Sequence, residues 1–202
     1  MGWTQITAPD GLPVELADLK RDLRIDGTDS DERLIGLLET AVGYLDGPNG
    51  RLGRCLVQQT WDWTFDQFPL RSPEAVRIPL EPVISVTSVT YVDGNGDAAT
   101  WSSALWQLAG AGGRGRLAPA YGQSWPSARR QLDAITVRLV LGHARSTGQV
   151  PGHNVPVALK RALTWLVAHW NENGEPTVQG NAIELPAHLG RIFDAFPGLR
   201  FG

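Results

Sequence analysis

The chain has 202 residues, 42% hydrophobic and 19% charged, with a formal net charge of -3. This balance fits one globular domain or two small ones with a sizeable core, and it speaks against a protein whose whole surface grips nucleic acid. One cysteine, Cys55, excludes an internal disulfide and a zinc ribbon. Cys55 therefore reads as a small packed hydrophobe. No stretch of about 18 apolar residues is present to span a bilayer. The start MGWTQITAPDG lacks the basic and apolar regions of a signal peptide, and Ile6 stands where a myristoylation signal needs Ser or Thr. The expectation is a soluble, unexported chain with no membrane partner.

After a lead bounded by proline and glycine, residues 14–25 place Leu16, Leu19 and Leu23 on one face and predict a short helix closed by Asp26 and Gly27. Residues 31–45 carry Leu34, Leu37, Leu38, Ala41, Val42 and Leu45 on a broad stripe, led by the acidic, cap-rich TDSDE, and predict a second helix. Residues 46–50, DGPNG, break that pattern. Trp61, Trp63 and Phe65 then alternate with Asp62, Thr64 and Asp66, a period of two that predicts a strand with an aromatic face. Val76, Ile78 and Leu80 alternate again, and Ile84, Val86, Thr90 and Val92 have the β-branched content of a strand. A DGNG turn follows at 93–96. Residues 101–108 and 135–141 bring the expected set to five or six strands, with 110–115 and 119–126 read as long loops.

The clearest period lies at 154–174. Leu159, Leu163, Leu166 and Trp170 recur at three- and four-residue steps, with Ala162 and Val167 widening the stripe. Asn154 is the expected cap, Pro156 falls where its missing N–H costs little, and Gly174 with Pro176 ends the run. A helix of this size needs a partner with a matching apolar face, and the helix at 31–45 supplies one. The predicted fold is therefore α+β. It is a small helical bundle of two N-terminal helices and one C-terminal helix, with an inserted antiparallel β region and an extended C-terminal tail. The expected boundaries are 1–54, 55–143, 144–174 and 175–202. In the tail, Ile183, Leu185, Leu189, Ile192, Phe193, Phe196 and Phe201 are many apolar residues for so irregular a stretch. They either fold back on the chain's own helices or dock on a second chain.

Motifs of chemistry are sparse. Residues 110–115, GAGGRG, match GxGxxG but lack the flanking strand and helix that place a pyrophosphate, so they read as a flexible loop. Residues 93–97, DGNGD, imitate the start of a calcium loop, but Ala98 and Ala104 replace the required glycine and glutamate. His143, His153, His169 and His188 form no i,i+4 ligand pair. No nucleophile elbow, phosphate loop or Cys–His arrangement occurs, and Asp62 and Asp66 read as solvated strand residues. Neither a metal, a cofactor nor a catalytic residue is expected. The tryptophans number 8. Exposed along a groove, Trp61, Trp63 and Trp101 would suit a flat ligand or glycan, and that is the alternative function. Trp165 lies roughly opposite the buried stripe of its helix; it is either simply exposed, covered by the β region, or set against a neighbouring subunit. Arg114, Arg116, Arg129 and Arg130 form either a solvated rim or a lining that meets duplex phosphates loosely.

Several stretches taken in order carry a resemblance. They are PVELADLKRDLRIDGTDSDERLIGLLETAVGYLD, LVQQTWDWTFDQFP, VRIPLEPVISVTSVTYVDGNGD, the strand TVRLVLGHA, and VPVALKRALTWLVAHWNENGEP. In this order the chain resembles the phage head-to-tail connector proteins, or head-completion adaptors, of tailed phages, prophages and gene transfer agents. The resemblance covers most of the chain. It implies a non-enzymatic adaptor in a twelvefold homo-oligomeric ring below the portal protein, extending the DNA channel and presenting a surface to the next tail or stopper protein. It implies assembly in the bacterial cytoplasm and residence at the head–tail junction of a virion or phage-like particle, with transient contact to double-stranded DNA. By this analogy the tail reaches into the portal. The expected interface residues are Trp165, Leu185, Ile192, Phe193, Phe196 and Phe201, and the channel candidates are Arg114, Arg116, Arg129 and Arg130.

Overall fold

The computed structural model describes residues 1–70, 74–146, 152–173, 178–179, 182–183 and 187–196. The chain forms two compact units, one of Met1–Asp10 with Gln58–His143 and the other of Gly11–Val57 with Ala144–Gly202. In chain order the elements are β1 (Gly2–Thr7), α1 (Leu16–Leu23), α2 (Asp31–Leu45), β2 (Gln59–Phe65), β3 (Val76–Arg77), β4 (Val83–Val92), β5 (Ala98–Trp101), β6 (Trp106–Ala109), β7 (Arg116–Pro119), β8 (Ile135–Leu141), α3 (Val157–Asn173), β9 (Val178–Gln179), β10 (Ala182–Ile183) and α4 (Ala187–Asp194). The architecture is the mixed α+β one expected, with helices toward both ends and antiparallel sheets between them.

The first unit holds two sheets. A five-stranded sheet has the order β1-β2-β8-β4-β5, antiparallel throughout, and a three-stranded sheet has the order β3-β7-β6. β8 is the central strand because its alternation is complete: Ile135, Val137, Leu139 and Leu141 are buried, and the residues between them are half-buried. On β2 the same alternation buries Trp63 and Phe65, whose rings lie 4.5 Å apart. Asp62 stands level with Arg138 on β8, and two 2.8 Å hydrogen bonds from the guanidinium grip its carboxylate. Asp66 accepts from the Asp133 backbone N–H at 3.0 Å. Asp62 is therefore not the merely solvated strand residue expected, whereas Asp66 is exposed as expected and lies just beyond the end of β2.

Three further departures have local causes. β1 lies in the stretch read as a lead, because one large residue, Trp3, suffices to hold it: its ring stacks on Trp63 at 5.9 Å while the backbone pairs with β2. The run 101–108 divides into β5 and β6, which belong to different sheets. A 3-10 turn at Ser103–Leu105 separates them, with the Ser102 hydroxyl accepting from the Ala104 N–H. Residues 110–115, expected as a flexible loop, are instead the tight turn joining β6 to β7. Gly112 N–H donates to Val83 O at 2.7 Å, and Val83 N–H donates to Gly113 O at 3.0 Å. β7 follows directly, burying Leu117 and Pro119, and takes in the first residue of the loop expected at 119–126.

The second unit is built on the helix pair the periodicity predicts. Leu34, Leu38, Ala41 and Leu45 of α2 share one core cluster with Leu159, Leu163, Leu166 and Trp170 of α3. Each fully buried leucine among them contributes about 1.5–3 kcal/mol. α1 adds Leu19 to this core, and Arg161 Nη1 of α3 meets Asp22 Oδ2 of α1 at 2.5 Å. α1 ends earlier than predicted, at Leu23, with Arg24 in the left-handed region at φ 56 and its N–H turned back to the last carbonyls. The helix starts differ as well. Ser30 makes no side-chain cap bond to α2. Asn154 does not cap α3; its N–H donates to Ala144 O, and the first turn closes on Pro156 O instead.

Candidate interaction surfaces

α3 has two faces because its stripe of buried residues leaves the opposite side open. Val157, Arg161, Trp165, Ala168 and Glu172 follow one another at three- and four-residue steps on that side. Val157 is 73% exposed and Trp165 49% exposed, a large apolar area for a solvent-facing helix. Trp165, Ala168, His169 and Glu172 line an open depression on this face. Of these, Trp165 is the residue suited to a contact, since tryptophan is enriched at interfaces and offers large apolar area. The outer surface of α3 is therefore the strongest candidate surface of the helical unit.

The tail residues are placed differently from one another. Phe193 is 2% exposed and Leu189 is fully buried, both in the core shared by α2 and α3. Ile192 and Phe196 pack half-buried against it, the Arg54 guanidinium lies 6.0 Å above the Phe196 ring, and Arg51 pairs with Asp194 at 3.3 Å. Of the two openings for the tail, α4 takes the one in which it folds back. The physical reason is the strong amphipathicity of AHLGRIFD, whose apolar face completes the surface that α2 and α3 leave uncovered. Phe193 has no surface left to offer a neighbour in this conformation. Leu185 and Phe201 lie outside the described residues.

The four arginines proposed for a channel do not share one environment. Arg114 Nε lies 3.3 Å from the buried carboxylate of Glu81, so its charge is largely answered within the unit. Arg116 is exposed on β7, level with Arg77 on β3. Arg129 and Arg130 are exposed in the segment leading to β8; Arg129 N–H donates to Val92 O, and Arg130 lines an open depression with Phe68, Leu70 and Trp125. Among the described residues Arg77, Arg116, Arg129 and Arg130 have no ion-pair partner. Arg77 is not among the residues that the sequence singles out. The alternation that turns Val76 inward and Arg77 outward is the signal, but a strand of two residues is too short to display it.

Other candidate sites lose their basis. Trp63 and Trp101 are buried, and Trp101 packs at 5.2 Å from Trp125, which stacks on Phe68 at 4.7 Å. These rings hold the sheet together, and no exposed groove of Trp61, Trp63 and Trp101 exists for a glycan. The DGNGD segment is a hairpin turn: Asp93 Oδ1 accepts from the N–H groups of Asn95, Gly96 and Asp97 at 2.8, 3.0 and 3.0 Å. The Asp97 amide foremost, with those of Asn95 and Gly96, holds the Asp93 carboxyl below its usual value against a weaker opposing effect of desolvation. The hydrogen bond and then the charge of Asp62 raise Arg138 above the usual guanidinium value. No group of three His, Cys, Asp or Glu suited to a metal occurs among the described residues, and no described helix is long and apolar enough to cross a membrane.

No protein-family model and no curated protein matches the chain. Solved structures do. A chain of the neck of an empty gene transfer agent particle, computed with C6 symmetry, aligns with TM-score 0.71 and 21% identity over 100% of this chain and 97% of that one. A chain of the virion of a native gene transfer agent particle aligns with TM-score 0.69 and 21% identity over the same shares. One from the neck of a native particle computed with C12 symmetry aligns with TM-score 0.63 and 18% identity, again over 100% and 97%. The likeness is one of fold, and it runs from end to end through both units.

Proposed function

We propose that this chain is a structural component of the neck of a phage-like particle, a head-to-tail adaptor that assembles as a ring beneath the portal and extends the DNA channel toward the tail. The observation that carries the reading is the fold likeness to neck chains over the whole length, including both the helical unit and the β unit. Function here resides in surfaces rather than in an active site, and the chain is an adaptor without enzymatic activity. The C6 and C12 symmetry of those necks supports a ring of twelve copies. Trp165 on the outer face of α3 is the residue we assign to an interface with a neighbouring subunit or with the portal. Ile192 and Phe196, half-buried in the free chain, would offer only their remaining surface unless α4 is displaced on docking. Leu185 and Phe201 complete the proposed docking tail. Arg116, Arg129 and Arg130 are the stronger channel candidates, since Arg114 already has Glu81. The ring forms in the bacterial cytoplasm on the completed head and stays with the particle, meeting the next tail or stopper protein on its far side.

The test is imaging of particles from cells that carry or lack the chain. The expected result is a twelvefold ring of this fold between portal and tail, and unjoined heads and tails in its absence. Particles that join normally without it would refute the reading. Trp165→Ala should reduce joining while leaving the free chain folded.

A further inference from the structure

The outer face of the three-stranded sheet is unusual in its charges. The register brings Arg77 of β3, Arg116 of β7 and Ala109 of β6 level across the sheet. The alternate row, Val76, Leu117 and Leu108, faces the other way, and Leu117 is fully buried there. Arg77 and Arg116 are thus direct cross-strand neighbours on the exposed side, with Cβ atoms about 4.5–5.5 Å apart. Like charges in this relation destabilise a ladder. Neither has a carboxylate partner among the described residues, although the chain carries 21 acidic residues. In the turn just before β7, Arg114 pairs with Glu81. The rest of the face, Gln107, Ala109 and Ala118, is small or uncharged, so nothing bulky shields the pair.

We propose that Arg77 and Arg116 form a phosphodiester-binding site that meets the backbone of a nucleic-acid duplex without reading its sequence. The anion site rests on the sheet geometry alone; the identity of the anion as duplex rests on the neck reading. Two guanidinium forks side by side match phosphate oxygens bidentately. An anion lying across both relieves their mutual repulsion directly. A duplex backbone supplies such acceptors at every step and needs no matching register, which suits a flat cationic face better than an acidic protein surface that must align individual carboxylates. Arg129 and Arg130, also unpaired among the described residues, add to the cationic character of the same unit.

The full chain is titrated at low salt with a blunt duplex while its backbone amides and arginine Nε–H groups are followed by NMR. Arg77→Ser, Arg116→Ser, the double variant and Arg116→Lys are compared, and the thermal midpoint of each is measured. Shifts should centre on Arg77 and Arg116. Each serine variant should weaken binding several-fold, lower the salt slope by about one, and raise the thermal midpoint, because a repulsion has been removed. Arg116→Lys should keep most of the slope and the lower midpoint. An unchanged slope in the double variant, or shifts that centre elsewhere, overturns the site. Polyglutamate of matched charge binding as tightly at the same amides would make the partner an acidic protein and overturn the duplex assignment. A double variant that loses duplex binding yet still joins heads to tails leaves the neck reading intact. Particles that never contain the chain would sink the neck reading but not the solution result.

Discussion

Phe193 and Trp165 are aromatic residues that the sequence offers equally as contacts between chains, and their environments separate them. Phe193 fills the core of the helical unit at 2% exposure, whereas Trp165 stands on the open side of α3 at 49%. Phe193→Ala should therefore cost about 3–5 kcal/mol of folding stability, the usual loss for a large buried aromatic. Trp165→Ala should stay within about 0.5 kcal/mol of the parent. Urea denaturation of the two variants checks the contrast, and equal losses would place Trp165 in the core after all. Asp93 yields a prediction in pH. Its carboxyl is held low by the amides of the DGNGD turn, first that of Asp97. A depressed carboxyl contributes stability that is present above its unfolded value and is lost as pH falls through its folded one. The stability gap between the parent and Asp93→Asn should accordingly be full at neutral pH and shrink in acid, read from thermal midpoints across that range. A gap that does not change with pH would remove the charge from the account of the turn.

The β6–β7 hairpin shows how an element is set by backbone geometry that side-chain patterns do not carry. Gly110 has φ 78, and a Cβ there would lie 2.3 Å from the carbonyl oxygen of Arg114. The obstacle is main chain, so no rotamer relieves it. Gly110→Ala should destabilise the chain by about 1–3 kcal/mol, and hydrogen exchange should rise first at the amides of Gly112 and Val83, which bridge the turn to β4. Gly115 is enclosed instead by side chains, those of Val83 and Ile78. Three glycines that a motif search reads as a nucleotide fingerprint thus serve a close turn and a tight approach to β4. The same hairpin aligns Arg116 with Arg77, so the proposed phosphate site depends on it.

At the scale of the whole molecule both units are discontinuous in sequence. The crossings are close together, since Gln58 N–H donates to His143 O at 3.1 Å and Asp10 N–H donates to Gln58 O at 3.4 Å. Residues 11–57 joined to 144–202 by a short linker should therefore fold as a helical unit without the β region. Residues 11–57 alone should be largely unfolded, because isolated helices of this length are marginal in water. Circular dichroism with a thermal melt distinguishes these outcomes. A joined chain with no cooperative transition would mean that the β region is needed to close the helices.

The periodic elements are legible in the amino-acid sequence itself. The stripes of α2 and α3 and the alternation of β2, β4 and β8 arise from neighbours two to four positions apart, so residue order alone specifies which face of each is apolar. From those faces the pairing of α2 with α3 across the β region also follows, since each needs a cover of similar length. What order could not supply was the cover itself wherever several were available. β1 is held by a ladder and a single stacked tryptophan, β3 and β7 are too short to display a period, and Arg77 owes its interest to a neighbour 39 positions away. α4 carries an apolar face in either setting, and only the tertiary structure decides that the chain's own core covers it. The cause is general: burial of apolar surface is favourable against any suitable partner and has no direction of its own, so a sequence declares that a face must be covered while the packed chain determines by what.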